Sequence, residues 1–226
     1  PNWVVRRRAA RLARSNGITG FAYLHRWRKG LVESNIFFNE LLKDEEPNIS
    51  FVLVWMLTPE NDASHAPNAT AYQVDSRLQH FEWMRRMFEH KNYIAVGGRA
   101  MILLHNLNEM VHSATIVEFL RMEAAKHNRE LHIVQLNGRT NNKILPSNLP
   151  FVDAVSDYPP HFASKVSSFN GDLHPYYHSV SSSFNNEPMR RKIAGARKSL
   201  SARALVDVVH PVSFKVLLRR KLSLTP

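Results

Sequence analysis

Apolar runs of strand length alternate with stretches of helical spacing about six times along the chain. A parallel sheet with right-handed helical crossovers requires such alternation, because a parallel neighbour is reached only by crossing a face of the sheet. The 226 residues, 44% of them apolar, suffice for one sizeable core. A single domain over residues 1–226 is therefore expected.

The order of segments is explicit. Residues 4–15 are basic and amphipathic, and Asn16-Gly17 ends them as a helix C-cap pair would. A strand over 18–24 follows, then a helix over 31–42. Residues 50–57, "SFVLVWML", form a continuous apolar run of the kind covered on both faces. A polar loop over 58–71 precedes a helix over 75–90, and Gly97-Gly98 turns the chain between two short apolar runs. A helix over 113–127, a strand over 130–138 and a shorter strand from 151 complete the regular part. Residues 161–188 are Ser/Asn-rich and read as loop. Residues 201–210 and 211–222 read as a strand and a basic helix, with Pro211 near its first turn.

Two closures suit this order, an open doubly wound sheet or a (β/α)8 barrel. No Gly-x-Gly-x-x-Gly turn or Walker loop follows any strand, which disfavours the nucleotide-binding versions. Nearly every strand instead ends in polar or aromatic residues: His25 and Trp27, Trp55, His105 and Asn106, Asn137, Asp157 and Tyr158, and His210. Strand ends converge on the active face of a barrel. Singly, a histidine or tryptophan there is more often a structural residue. The repetition along one edge is what points to carbohydrate, since a sugar offers an apolar C–H face for stacking and hydroxyls for hydrogen bonds. No His-x-x-x-His or His-x-His pair lies at a strand end, so no metal or other cofactor is expected.

The net charge of +11 is concentrated at the ends: residues 1–30 carry eight Arg/Lys and no acid, and residues 189–226 carry ten against Asp207 alone. Nucleic acid or anionic membrane would use such clusters. No zinc-finger or RNP-type pattern accompanies them, so nucleic acid is disfavoured. No apolar run approaches the roughly 18 to 20 residues of a membrane span, and a soluble chain is expected. The absence of cysteine excludes disulfides and thiolate chemistry. Two sequons, Asn48-Ile49-Ser50 and Asn68-Ala69-Thr70, hint at a secretory route, and a cytoplasmic one stays open.

Several segments resemble a known family. "GITGFAYLHRWRKG" looks like the signature strand of the WbsX-like proteins of polysaccharide biosynthesis, related to the family-99 glycoside hydrolases (endo-α-mannosidases). "FVLVW", "HFEWMRRMFEHKNYIAVGGRAMILLHN", "FVDAVSDYPPH" and "FNNEPMRR" resemble later segments of the same family, in order, over most of residues 5–220. The resemblance implies an α/β, TIM-barrel-like fold with about six of its eight strands in this chain. It also implies glycosyl hydrolysis or transfer on a glycan or activated-sugar substrate. Substrate contacts would come from His25, Trp27, Trp55, His105, Asn137, Asp157, Tyr158 and His161.

In the family-99 relatives two glutamates of an Asn-Glu-Trp-x-Glu motif do the acid/base work, as glycoside chemistry needs. That motif is not found in these residues. After Trp55, where relatives carry an Asn-Glu-Asn-Trp cluster, Glu60 and Asp62 stand in a different context. Asp157 is the best-placed remaining carboxyl, with binding favoured over catalysis. Three readings follow: part of a glycan-active enzyme, a non-catalytic glycan binder, or a basic protein that binds nucleic acid or anionic surfaces.

Overall fold

The computed structural model describes residues 3–33, 35–44, 49–137, 150–157 and 176–177. In order, these form α1 (Trp3–Ser15), β1 (Gly20–His25), β2 (Trp27–Arg28), β3 (Leu31–Val32), α2 (Asn35–Asp44), β4 (Ser50–Met56), α3 (Pro59–Ala63) and α4 (Ala71–Phe88). Then come β5 (Ala95–Val96), β6 (Arg99–His105), a 3-10 turn (Leu107–Glu109), α5 (Ser113–Lys126), β7 (Leu131–Asn137), β8 (Ala154–Asp157) and β9 (Tyr176–Tyr177).

The main sheet runs β1-β4-β6-β7-β8-β9, every neighbouring pair parallel, with β5 antiparallel against β6. Each parallel strand is laid on the same edge as the chain advances. A doubly wound sheet reverses direction at a switch point, and no reversal occurs among the described strands. The core has the same one-sidedness. Phe38 and Leu41 of α2, Phe81, Met84 and Met87 of α4, and Ile116 and Leu120 of α5 all pack on one face, against Phe51, Leu53, Trp55, Ile102, Leu104 and Ile133. The opposite face holds Ala22, Val52, Val54, Met101, Leu103, Val134, Leu136 and Ala154, and among the described residues no helix contributes to it. Helices outside and small to medium aliphatics inside make a wall of a partial (β/α) barrel, with no closed barrel among the described residues.

Local chemistry explains most boundaries. Helix α1 stops in a Schellman arrangement, Gly17 N–H donating to Arg14 O and Ile18 N–H to Ala13 O, with Gly17 at φ +70°. Gly20 opens β1 because β4 approaches closely: a Cβ there would lie 2.8 Å from the Ser50 carbonyl oxygen. Gly97 and Gly98, at φ +57° and +80°, turn the chain between β5 and β6. Where β5 separates the starts of β4 and β6, the Tyr93 hydroxyl donates to Met101 O at 2.7 Å and accepts from Leu53 N at 3.2 Å, bridging the gap.

Three expectations need correction. The helix expected over 31–42 begins only at Asn35, because Lys29 (φ +51°) and Gly30 (φ +76°) form a tight turn that folds Leu31–Val32 back on Trp27–Arg28. The loop expected over 58–71 contains α3, initiated by Pro59 in the first turn and by Asn61 Oδ1, which accepts from Thr58 N. Helix α4 begins at Ala71 rather than 75, since Thr70 and Gln73 form a capping box. Within 161–188, Tyr176–Tyr177 extends the sheet beside β8; the rest of that stretch and the strand and helix expected over 201–222 lie outside the described residues. Among the described residues no helix is long and apolar enough to cross a membrane.

Candidate functional site

The carboxyl ends of β1 and β4 are adjacent, His25 pairing in register with Trp55. Beyond His25 the chain forms the β2–β3 hairpin, which side chains of the next elements hold down. Trp27 Nε1–H donates to Ser76 Oγ at 2.9 Å, Asn61 Nδ2–H donates to Trp27 O at 3.1 Å, and Lys29 N–H donates to Glu60 Oε1 at 3.1 Å. Asp62 reaches the other way, accepting from Val111 N and His112 N at the start of α5. The short helix α3 thereby links the loop after β1 to the loop after β6.

At the centre sits His80 of α4, 1% exposed. Its Nε2 lies 3.0 Å from His25 Nε2, its ring stacks on Trp27 (centroids 4.7 Å, 16°), and Trp55 meets it edge-on at 4.5 Å. Trp83 closes the group, 5.0 Å from the His25 ring. Burial keeps both imidazoles neutral: that of His25 is pushed down to about 3, and that of His80 lies well below its ordinary value, lowered by burial and then by His25 beside it. Sequence reasoning missed His80. The available signal was Ser76, His80 and Trp83, spaced to share one face of a helix.

Above this cluster lies a small, open cleft lined by Trp27, Trp55, Glu60, Asn61, His65, Tyr72, Arg77 and His80, among others. It lies at the carboxyl edge of the parallel sheet, where ligands of such sheets bind. His65 is buried, with Nδ1 2.8 Å from the Asn61 carbonyl oxygen, and burial is the chief cause that pushes its imidazole down to about 4. Glu60 is the cleft's carboxylate and Arg77 its cation, the latter donating to Ser64 O and lying over the Phe119 ring.

The structure brings Trp27 and Trp55 to one cleft, with His25 buried beneath it. His105, 8% exposed at the end of β6, falls on the opposite face of the sheet, because Leu104 belongs to the helix-covered core and residues alternate. Asn137 and Asp157 are register partners at the ends of β7 and β8. Tyr158, His161 and His210 lie outside the described residues. No group of three His, Asp or Glu side chains suited to a metal ion occurs among the described residues. Buried indoles and neutral imidazoles floor the cleft, with one carboxylate and one guanidinium beside them.

Residues 2–210 match the model of the family described as Glycosyltransferase WbsX. No curated protein and no solved structure matches the chain.

Proposed function

The chain belongs to the Glycosyltransferase WbsX family, and from that premise we propose that it processes a glycan at the carboxyl edge of its parallel sheet, by glycosyl transfer or hydrolysis. The observation that carries this reading is the meeting of Trp27, Trp55 and Glu60 in one cleft at that edge. The buried indoles of Trp27 and Trp55 give the cleft a rigid aromatic floor, and a carboxylate accepts from hydroxyls with the strength of a charge-assisted bond.

In this reading the described cleft recognises the sugar. His25 acts through His80, which it positions against both indoles, rather than by direct contact. Asn137 and Asp157, adjacent at the ends of β7 and β8, extend the sugar-facing edge, and His105 contributes from the inner face. Tyr158 and His161, which come after β8 in the sequence and lie outside the described residues, are proposed as further substrate contacts. Asp157 is read as a binding carboxylate. Glu60 alone does not supply the pair of carboxyl groups that glycoside cleavage uses.

The test is incubation of the protein with fluorescently labelled α-linked oligosaccharides, with and without nucleotide-sugar donors, followed by separation of the labelled glycan by size. Shortened glycan identifies hydrolysis and lengthened glycan identifies transfer. Glycan retained by the protein at unchanged length reduces the role to binding. Glycan neither altered nor retained would overturn the proposal.

A further inference from the structure

Helix α1 turns its large apolar side chains away from the protein, the reverse of what a helix that only packs on a sheet does. Trp3, Val4, Val5 and Leu12 are all exposed, from 50% at Trp3 to 64% at Leu12, whereas the buried stripe is Arg6, Ala10 and Ala13. The two alanines seat the helix on Ile18, Ile49 and Phe21. Small residues thus hold α1 to the sheet, and the side chains with most apolar surface to bury face outward.

Cations share that outer face. Arg7, Arg8, Arg11 and Arg14 are exposed, and α1 contains no acid. Arg8 lies three or four positions from Val4, Val5 and Leu12 and so is a neighbour of each on the helix surface, while the Arg7 guanidinium lies over the Trp3 ring, 5.8 Å from its centroid. At 3.6 residues per turn, guanidiniums and apolar side chains alternate around one outward arc.

We propose that this arc is a docking face for an anionic phospholipid bilayer, with α1 lying in the plane of the interface. Trp3, Val5 and Leu12 enter beneath the headgroups, and the four guanidiniums meet lipid phosphates. The helix lies on the bilayer and does not cross it, since its 13 residues fall short of the roughly 20 that a span needs. The inference is independent of the glycan reading. Charge selects the partner: with no carboxylate in residues 1–30, the arc complements an anionic surface. A second copy of the chain would set these four arginines against four more. Nucleic acid would engage the guanidiniums but gain little from Val5 and Leu12, since its outer surface is sugar and phosphate. A bilayer interface uses both.

The test is flotation of the full chain with vesicles of phosphatidylcholine alone and of phosphatidylcholine and phosphatidylglycerol in equal parts, joined to tryptophan fluorescence. Trp3 is the natural reporter, because the other three tryptophans, Trp27, Trp55 and Trp83, are buried. The chain should float with the anionic vesicles and not with the neutral ones, while its emission moves to shorter wavelength and acrylamide quenches it less. Trp3→Phe should still float and lose the spectral shift. Arg8→Gln with Arg11→Gln should weaken partitioning by roughly tenfold or more, about fivefold per charge. Val5→Asn with Leu12→Asn, which keeps every arginine, should also weaken it by about tenfold. All these positions are exposed, and circular dichroism checks that each variant folds; the comparison of the two vesicle types decides without them. No flotation with anionic vesicles, equal flotation with neutral ones, or partitioning that the Val5 and Leu12 changes leave unaltered would overturn the proposal. A spectral shift that grows with protein concentration in the absence of vesicles would assign the face to a second copy, and capture of a duplex oligonucleotide in preference to anionic vesicles would assign it to nucleic acid. Either outcome overturns it too.

Discussion

His25 and His80 meet through their Nε2 atoms at 3.0 Å, 55 positions apart in sequence, with a single proton between the two nitrogens. The pair ties the end of β1 to the middle of α4 and fixes the ring on which Trp27 stacks. A second proton on the accepting imidazole would break this bond, and on either ring it would sit in surroundings that hardly solvate the charge.

Acid should therefore loosen the fold in a definable window. His25 and His65, held at about 3 and about 4, and His80, held well below 6.5, are neutral when folded and titrate near 6.5 when unfolded. The unfolded state binds the extra protons, so this stability is complete above pH 6.5 and is lost as pH falls below it, by on the order of 1 kcal/mol per pH unit for each group. Urea midpoints should fall steadily from pH 7 to pH 5, and less steeply in His80→Phe. Equal midpoints across that range would contradict the burial of the pair.

Gly20→Ala should destabilise the chain by about 1 to 3 kcal/mol, because its methyl group would press on backbone rather than on a side chain that can swing away. The clash is with the Ser50 carbonyl oxygen, 2.8 Å from where the Cβ would be. Thermal unfolding of the variant measures it. An unchanged midpoint would mean that β1 and β4 are not this close at their first pair.

Asp153 gathers three donors, Arg99 Nη1, Arg121 Nη2 and the Ile133 amide, at the amino end of β7 and β8. Burial alone would raise its carboxyl, and these partners outweigh it to hold the group below its ordinary 3.8. Its stabilisation is therefore present above the ordinary carboxyl value and is lost as pH falls below it. Asp153→Asn should cost about 2 kcal/mol at neutral pH, with the loss shrinking toward pH 3. Chemical denaturation at the two pH values checks both parts.

Glu60→Gln should leave the fold intact, since the amide oxygen can still accept from Lys29 N–H, while weakening glycan binding by about fivefold. Calorimetric titration of wild type and variant with the same oligosaccharide gives the ratio. Equal affinities would remove the Glu60 carboxylate from the site.

The parallel sheet and its helices were legible because their periods differ: "SFVLVWML" is apolar at every position, as a strand covered on both faces must be, and α4 and α5 carry spaced apolar residues. That same property hid which way the strand-end residues point. With both faces of β1 and β4 apolar, alternation shows that His25 and Trp55 share a face, but only the packing of α2, α4 and α5 shows that helices cover it. The β2–β3 hairpin escaped notice because Lys29 takes a left-handed conformation that its side chain does not advertise, and Leu31–Val32 merge into the pattern of the helix that follows. His80 was hidden by its place inside an amphipathic helix, where a histidine reads as one more member of the face. Its partners come from 25, 27 and 55, and only the fold brings them to it.

The measurement that tests the central claim most directly is calorimetric titration of the chain with neutral oligosaccharides at low and high salt, with Trp27→Ala in parallel. The account predicts saturable binding that is insensitive to salt and weakened by about tenfold in the variant, which loses the indole that floors the cleft and stacks on His80. Absence of binding, or binding that is unaltered by Trp27→Ala and falls steeply with salt as phosphate-type contacts with the basic termini would, contradicts it.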